Sequence, residues 1–147
     1  MNVVQRNKNK VRTVLDFREM NTHIDTFTVN SDVCASKIRE WRRRGTSLSI
    51  LDLKKAYLQI RVGESLWPYQ TVIFHGRRYC LTRLGFGLNV TPTIMKALMD
   101  RVLSLSANIR KATSAYLDDI LVGETVVSAE TVSKYLAQHG LHCKAPE

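Results

Sequence analysis

Ser114-Ala-Tyr-Leu-Asp-Asp-Ile-Leu-Val122 sets two adjacent carboxylates in the middle of an apolar run. The flanks read as strand, turn and strand over 114–122, so Asp118 and Asp119 interrupt what would otherwise be a buried hairpin. Unpaired charges buried there would cost several kcal/mol by order of magnitude. Either the turn faces water and the acids are ordinary turn residues, or the acids meet divalent cations, which take hard carboxylate oxygens. Taken alone, the pair favours the ordinary turn.

Asp52 shifts that balance. The stretch 48–53 carries apolar residues on both parities, which marks a strand buried on both faces, and Asp52 stands near its end. Two strands of one sheet can bring their acids to a single edge, and like charges so placed need metal between them. That constellation suits two-metal phosphoryl transfer, with ions about 3.5–4 Å apart that activate an attacking hydroxyl and steady a leaving pyrophosphate.

The 147-residue chain has the size of one domain, and its 44% hydrophobic content is enough for a real core. Twenty-two Lys and Arg against 13 Asp and Glu give a net charge of +9, which favours a polyanionic partner such as nucleic acid. A ribosomal or chromatin protein would show the same balance, so charge names a class of partner and no reaction. Cys34, Cys80 and Cys143 are too scattered for a disulfide framework, which implies reduced, intracellular thiols. His139, His142 and Cys143 lie close in sequence but straddle Gly140 and lack a second ligand pair, so they are set aside as a metal site. No stretch approaches the roughly 20 apolar residues that span a bilayer, and the polar start is no secretory signal, so no membrane partner is expected.

Reading along the chain, 11–17 is expected to be a strand and 18–30 irregular. Ser31 or Asp32 can cap a helix that presents Val33, Ile38 and Trp41 inward and stops at Gly45. A second strand is expected over 58–62, and 71–74 pairs with 79–82 across a turn at His75-Gly76. Thr91-Pro92 gives a hydroxyl cap with proline at the first helical position, followed by Ile94, Leu98, Val102 and Leu105 at helical spacing. Ser128 caps a last helix ending near Gly140. Hairpins alternating with helices predict an α+β fold, an antiparallel sheet packed on helices.

LDLKKAYLQI (51–60) resembles motif A of reverse transcriptases. VRTVLDFREMN (11–21) resembles their fingers strand and loop, LGFGLNVTP (84–92) motif B, and YLDD (116–119) motif C. The similarity is closest to gypsy-like LTR retrotransposon polymerases and covers nearly the whole chain. It implies a polymerase palm over about 46–147, interleaved with fingers strands, and a partial fingers subdomain over about 1–45. The thumb and RNase H domain are expected to be absent.

The same resemblance implies an RNA-directed DNA polymerase whose catalytic residues are Asp52, Asp118 and Asp119, with these acids and the backbone of Leu53 as ligands of two Mg²⁺, or Mn²⁺. Leu53, Lys54, Lys55 and Ala56 would line the incoming triphosphate, and Arg12 would grip it, with Arg6 or Lys10 as a second cationic contact. Tyr57 matches the aromatic gate that excludes a 2′-hydroxyl, and Phe86 and Gly87 match the turn beside the nascent base pair. Gly85 departs from the proline usual there, and Asn89-Val90-Thr91 departs from the common pattern. Lys144 resembles the motif D lysine that can act as general acid on pyrophosphate. The implied partners are an RNA or DNA template with primer, deoxynucleoside triphosphates and the rest of a Pol polyprotein, in a cytoplasmic retroelement particle or the nucleus. Two other classes fit the composition: an inactive remnant that binds nucleic acid, and an interaction module whose basicity is incidental.

Overall fold

The β-branched and leucine-rich stretches around the two acid sites form the central sheet, in the antiparallel order β3 (Leu48–Asp52), β7 (Asp119–Gly123), β6 (Thr113–Tyr116). In the computed structural model, residues 15–25 and 33–145 are described, 33 and 34 in backbone alone, together with the backbones of β1 (Asn2–Gln5) and β2 (Lys10–Thr13). Register sets the chemistry of the two sheet faces, because side chains alternate along a strand and directly opposed residues share a face. Leu51 lies opposite Ile120, and Ala115 pairs with Ile120 from the other side. That face is closed by α3 (Thr91–Ser104) and α5 (Ala129–Gln138) through Met95, Met99, Val102, Leu103, Val132 and Leu136, all buried.

The opposite face carries Ile50 with Leu121, and Asp52 with Asp119. Ile50 is 61% exposed, so β3 is not the doubly buried strand that its composition predicts. Its second apolar parity looks outward on the face that holds the acids. Among the described residues, α2 (Val33–Arg43) covers part of this face, and its Trp41 indole donates to Ser114 Oγ at 3.0 Å. Ile38, expected inward, is 46% exposed, and the proposed caps Ser31 and Asp32 lie outside the described residues, as does the side chain of Val33.

Other expectations change in detail. The strand expected over 11–17 is β2, which spans Lys10–Thr13 and pairs with β1, and a short helix α1 (Arg18–Asn21) follows it where irregular chain was expected. Residues 58–62 do not form a strand. A tight turn over Ala56–Gln59 closes its own hydrogen bonds, Leu58 N to Lys55 O and Ile60 N to Tyr57 O, and the run's isolated bridge is Arg61–Arg83. The outlying hairpin joins β4 (Thr71–Phe74) to β5 (Arg77–Cys80) through His75-Gly76, two residues earlier in β5 than expected. A short helix α4 (Ala107–Ala112), which had no periodic signal, links α3 to β6.

Helix ends follow local chemistry. Thr91 does not cap α3: it is already helical, with Pro92 second, and its buried hydroxyl donates to Gly85 O at 2.9 Å. The buried stripe therefore runs through Thr91, Met95, Met99 and Val102, leaving Ile94 on the rim and Leu105 beyond the last turn. Ser128 does cap α5, its hydroxyl accepting from Thr131 N at 3.2 Å. Ser128→Ala is expected to cost about 1 kcal/mol, read as a fall of roughly 2–4 °C in thermal midpoint. An unchanged midpoint would show that packing of Val132 and Leu136, with the Glu124 carboxylate accepting Ala129 N, holds the helix. At the other end Leu141 N returns to Leu136 O and Gly140 N to Ala137 O, a Schellman closure with Gly140 at φ +78°. This closure turns 141–144 back along the end of β3.

Candidate active site

Three segments meet at the open end of the sheet. Asp52 and Asp119 are direct partners in the β3–β7 register, so their side chains start side by side on the uncovered face. Asp118 lies in the two-residue turn closed by the Tyr116–Asp119 pair, and its carbonyl accepts Leu53 N at 3.1 Å. Leu117, the other turn residue, holds φ +55°, a left-handed conformation that costs a branched side chain roughly 1–2 kcal/mol. Such strain persists only where the surroundings over-determine it, here the register on both sides of the turn.

The third segment is the return strand after α5. Leu53 bridges Cys143, Lys54 N donates to His142 O at 2.9 Å, and Lys144 N donates to Asp52 O at 2.7 Å. The Lys144 ammonium forms an ion pair with Asp52 Oδ2. That hydrogen bond, with the charges of Asp52, Asp118 and Asp119, raises Lys144 above the usual lysine range. Asp119 is pushed above the usual carboxylate range, first by desolvation and then by repulsion from Asp118 and Asp52.

Among the described residues no three histidine, cysteine or acidic side chains close into a metal cage, and the ammonium of Lys144 is what meets Asp52. The donor set nonetheless suits a hard divalent cation. It consists of carboxylate oxygens, and Asp52 Oδ1 is buried without a hydrogen-bond partner. The repulsion felt by Asp119 is negative charge that a cation would relieve.

Tyr57 and Phe86 also come together, their rings 5.7 Å apart and tilted by 33°. Burial pushes the Tyr57 phenol up, and the Asp118 charge adds to that shift, which places the ring close to the acids. Leu53 and Ala56 are buried, whereas Lys54 and Lys55 are exposed, Lys55 at φ +51°. Gly87 takes φ +108°. Arg12 enters β2 opposite Val3 and Lys10 opposite Gln5, but their side chains, and the whole of Arg6, lie outside the described residues.

Several residues that hold this site were given no role by the sequence. Asn21 Nδ2 donates to Gly87 O at 2.9 Å, Asn89 N to Asn21 Oδ1 at 2.9 Å, and Asn89 Nδ2 to Asn21 O at 3.1 Å. The departure at Asn89 is thus a lock between the motif-B-like loop and α1. Gln70, only 3% exposed, accepts Gly85 N at 2.9 Å. Gln59 binds both the chain after β3 and the return strand. Long-range contacts of side chain to backbone leave no periodicity to detect.

The model for "Reverse transcriptase (RNA-dependent DNA polymerase)" matches residues 4–145. A retrovirus-related Pol polyprotein from transposon opus of Drosophila melanogaster is 31% identical over 113 residues, 76% of this chain and 11% of that protein. An uncharacterized protein of Caenorhabditis elegans is 29% identical over 86 residues, 58% of this chain and 6% of that protein. The chain thus spans a small part of the curated relatives it matches. Among solved structures, the prototype foamy virus protease–reverse transcriptase superposes with a TM-score of 0.77 at 24% identity, covering 97% of this chain and 19% of that one. A mutant form of the same viral protein gives 0.78 at 23% identity. With an antiparallel sheet backed by helices, acids paired across it and a family match over nearly its whole length, the chain belongs to the reverse transcriptase family.

Proposed function

We propose that this chain is the catalytic core of an RNA-directed DNA polymerase from a retrotransposon Pol polyprotein, extending a primer along an RNA or DNA template. The observation that carries this reading is the register that seats Asp52 beside Asp119, with Asp118 in the adjoining turn and one Asp52 oxygen buried without a partner. Asp52, Asp118 and Asp119, with the backbone carbonyl of Leu53, would hold two Mg²⁺ ions, for which Mn²⁺ can substitute. Bound there, the ions would lower the barrier to attack by the primer 3′-hydroxyl and neutralise charge on the departing pyrophosphate.

The remaining roles fall to the chain's own groups. The backbone of Leu53 to Ala56, with Lys54 and Lys55 exposed beside it, would border the triphosphate, and Arg12 would approach from the fingers. Lys144 carries its proton at Nζ beside Asp52, where it can serve as general acid to the leaving group. Phe86 and Gly87 would flank the new base pair. Residues 1–45 are read as partial fingers and 46–147 as palm, working beside thumb and RNase H domains of the same polyprotein, in a cytoplasmic particle or the nucleus.

Primer extension on an RNA template with deoxynucleotides tests this reading. Template-directed incorporation that needs Mg²⁺ or Mn²⁺ and stops on chelation is expected. No incorporation, with nucleic-acid binding that falls steeply with salt, would leave a binding module instead.

Tyr57, braced by Phe86, is the gate under the sugar in this reading. Tyr57→Ala is expected to weaken discrimination against ribonucleotides by about one to two orders of magnitude, the range a pocket contact supplies. The check is the ratio of kcat/KM for dNTP and rNTP. Discrimination equal to the parent's would remove Tyr57 from that role.

A further inference from the structure

Gln59 closes the tight turn after Lys55, and its carboxamide is spent on two backbone segments, the chain just after β3 and the distant return strand. Nε2 donates to Lys54 O at 2.5 Å and to His142 O at 2.9 Å, while Oε1 accepts His142 N at 2.6 Å. In an antiparallel ladder, hydrogen-bonded partners exchange two bonds, N–H to O in each direction. Lys54 N to His142 O is one such bond. Lys54 O and His142 N, the groups that would make its return bond, are instead bridged by the Gln59 carboxamide. The amide is an inserted rung, and the next bond along the ladder is Lys144 N to Asp52 O.

We propose that Gln59 is a positioning residue: by completing the rung at His142 it fixes the register of the return strand and so holds Lys144 against Asp52. A slip of one residue in a strand turns every side chain to the other face, so register decides whether Lys144 faces the acids at all. The return strand is short, and Lys144 is exposed. Lys144 therefore depends on neighbouring rungs more than on packing. Arg83 Nη1 donates to Gln59 O at 3.1 Å, which ties the turn itself to the chain before motif B. The functional part of this inference rests on the reading of Asp52 and Lys144 given above.

Two variants test it. Gln59→Met keeps the length of the side chain and removes all three bonds. Gln59→Glu keeps the acceptor for His142 N and sets a carboxylate against the two carbonyls. In Gln59→Met, amide hydrogen exchange at His142 and Lys144 is expected to rise about tenfold or more, with Leu121 and Val122 in the sheet centre unchanged. Gln59→Glu is expected to loosen Lys144 with smaller loss of protection at His142.

In primer extension, kcat of Gln59→Met is expected to fall by about 10–100-fold, the usual effect of losing a group that orients a catalytic residue, with KM for dNTP within about twofold. Gln59→Met combined with Lys144→Ala should be no slower than Lys144→Ala alone. A purely structural role would give additive losses and lower the thermal midpoint, and that pattern would overturn the proposal, as would unchanged exchange at His142 and Lys144. If the parent chain extends no primer, the polymerase reading fails by itself, and the exchange measurement still decides whether Gln59 holds the strand.

Discussion

Asp118→Asn will abolish primer extension, lowering turnover by about three orders of magnitude or more, as expected when a ligand of catalytic cations worth several kcal/mol is lost. Its thermal midpoint will stay close to that of the parent. The two effects part because, on the proposed reading, Asp118 serves the chemistry, whereas in the fold its charge repels Asp119 and attracts Lys144. The only bond of Asp118 to Leu53 runs through its backbone carbonyl, which the substitution leaves in place. What disappears is a charge that both holds Asp119 above the usual carboxylate range and attracts Lys144.

The sign follows from linkage. A carboxyl whose folded pKa is raised binds its proton more tightly when folded, so the folded state is favoured below the unfolded pKa. That advantage is lost as pH rises through the folded value. At neutral pH the repulsion is a standing penalty, and Asp118→Asn relieves part of it. The relief of Asp119 should therefore be largest at pH 7 and shrink as pH falls through the Asp119 transition, against a loss of attraction for Lys144. Single-turnover extension and a melting series over pH measure both parts. Extension at the parent's rate would end the two-metal reading, and a midpoint lowered by many degrees would make Asp118 a structural turn residue.

The same balance explains what could be read in advance. Asp118 and Asp119 stand out because acids in an apolar hairpin contradict its pattern, and local rules are broken chiefly at functional sites. Asp52 was legible for the same reason, and two strands of a sheet suffice to bring it to Asp119. Ile50 was misread because apolar composition on both parities does not say whether the second face is covered. The run 58–62 was misread because Gln59 turns to the return strand and the backbone closes on itself, Leu58 N to Lys55 O and Ile60 N to Tyr57 O, so a tight turn displaces the strand. Gln59, Gln70 and the Asn21–Asn89 pair bind backbone far away in sequence, and an amide side chain looks the same whether it faces solvent or a carbonyl across the fold.

Gly85→Pro will destabilise the chain by about 3 kcal/mol or more, although the resembled family usually has proline at this place. An ideal Cβ on Gly85 would stand 2.6 Å from Phe17 Cζ, 2.8 Å from its Cε2 and 3.0 Å from Gln70 Oε1. Phe17 is buried and packs with Leu84 and Leu88 in a second apolar cluster, so it cannot swing into solvent without opening that cluster. Overpacking of this kind costs about 1–3 kcal/mol. Proline also deletes the N–H that Gln70 Oε1 accepts, and leaving a buried polar group unsatisfied costs about 1–3 kcal/mol more. Gly85→Ala keeps the N–H and suffers the Cβ clash, so the difference between the two variants reads the Gln70 bond together with the constraint of the proline ring. At this chain length the proline variant should lose roughly 10 °C in midpoint.

Phe17→Leu makes room at the position Cβ would take, so the loss for Gly85→Ala should be smaller on that background, a coupling that residues in contact show and distant ones do not. A midpoint within 2 °C of the parent for Gly85→Pro, a shift of about 1 kcal/mol or less, would mean that Phe17 and Gln70 can both retreat at little cost. The motif-B-like loop would then tolerate proline, and Gly85 would not be the residue that lets Phe17 pack with Leu84 and Leu88. If the loss is observed, the departure from the usual proline is an exchange within this chain. The ring of Phe17 fills the space the proline would need, and Gln70 replaces the stiffness of a proline with a hydrogen bond to the same nitrogen.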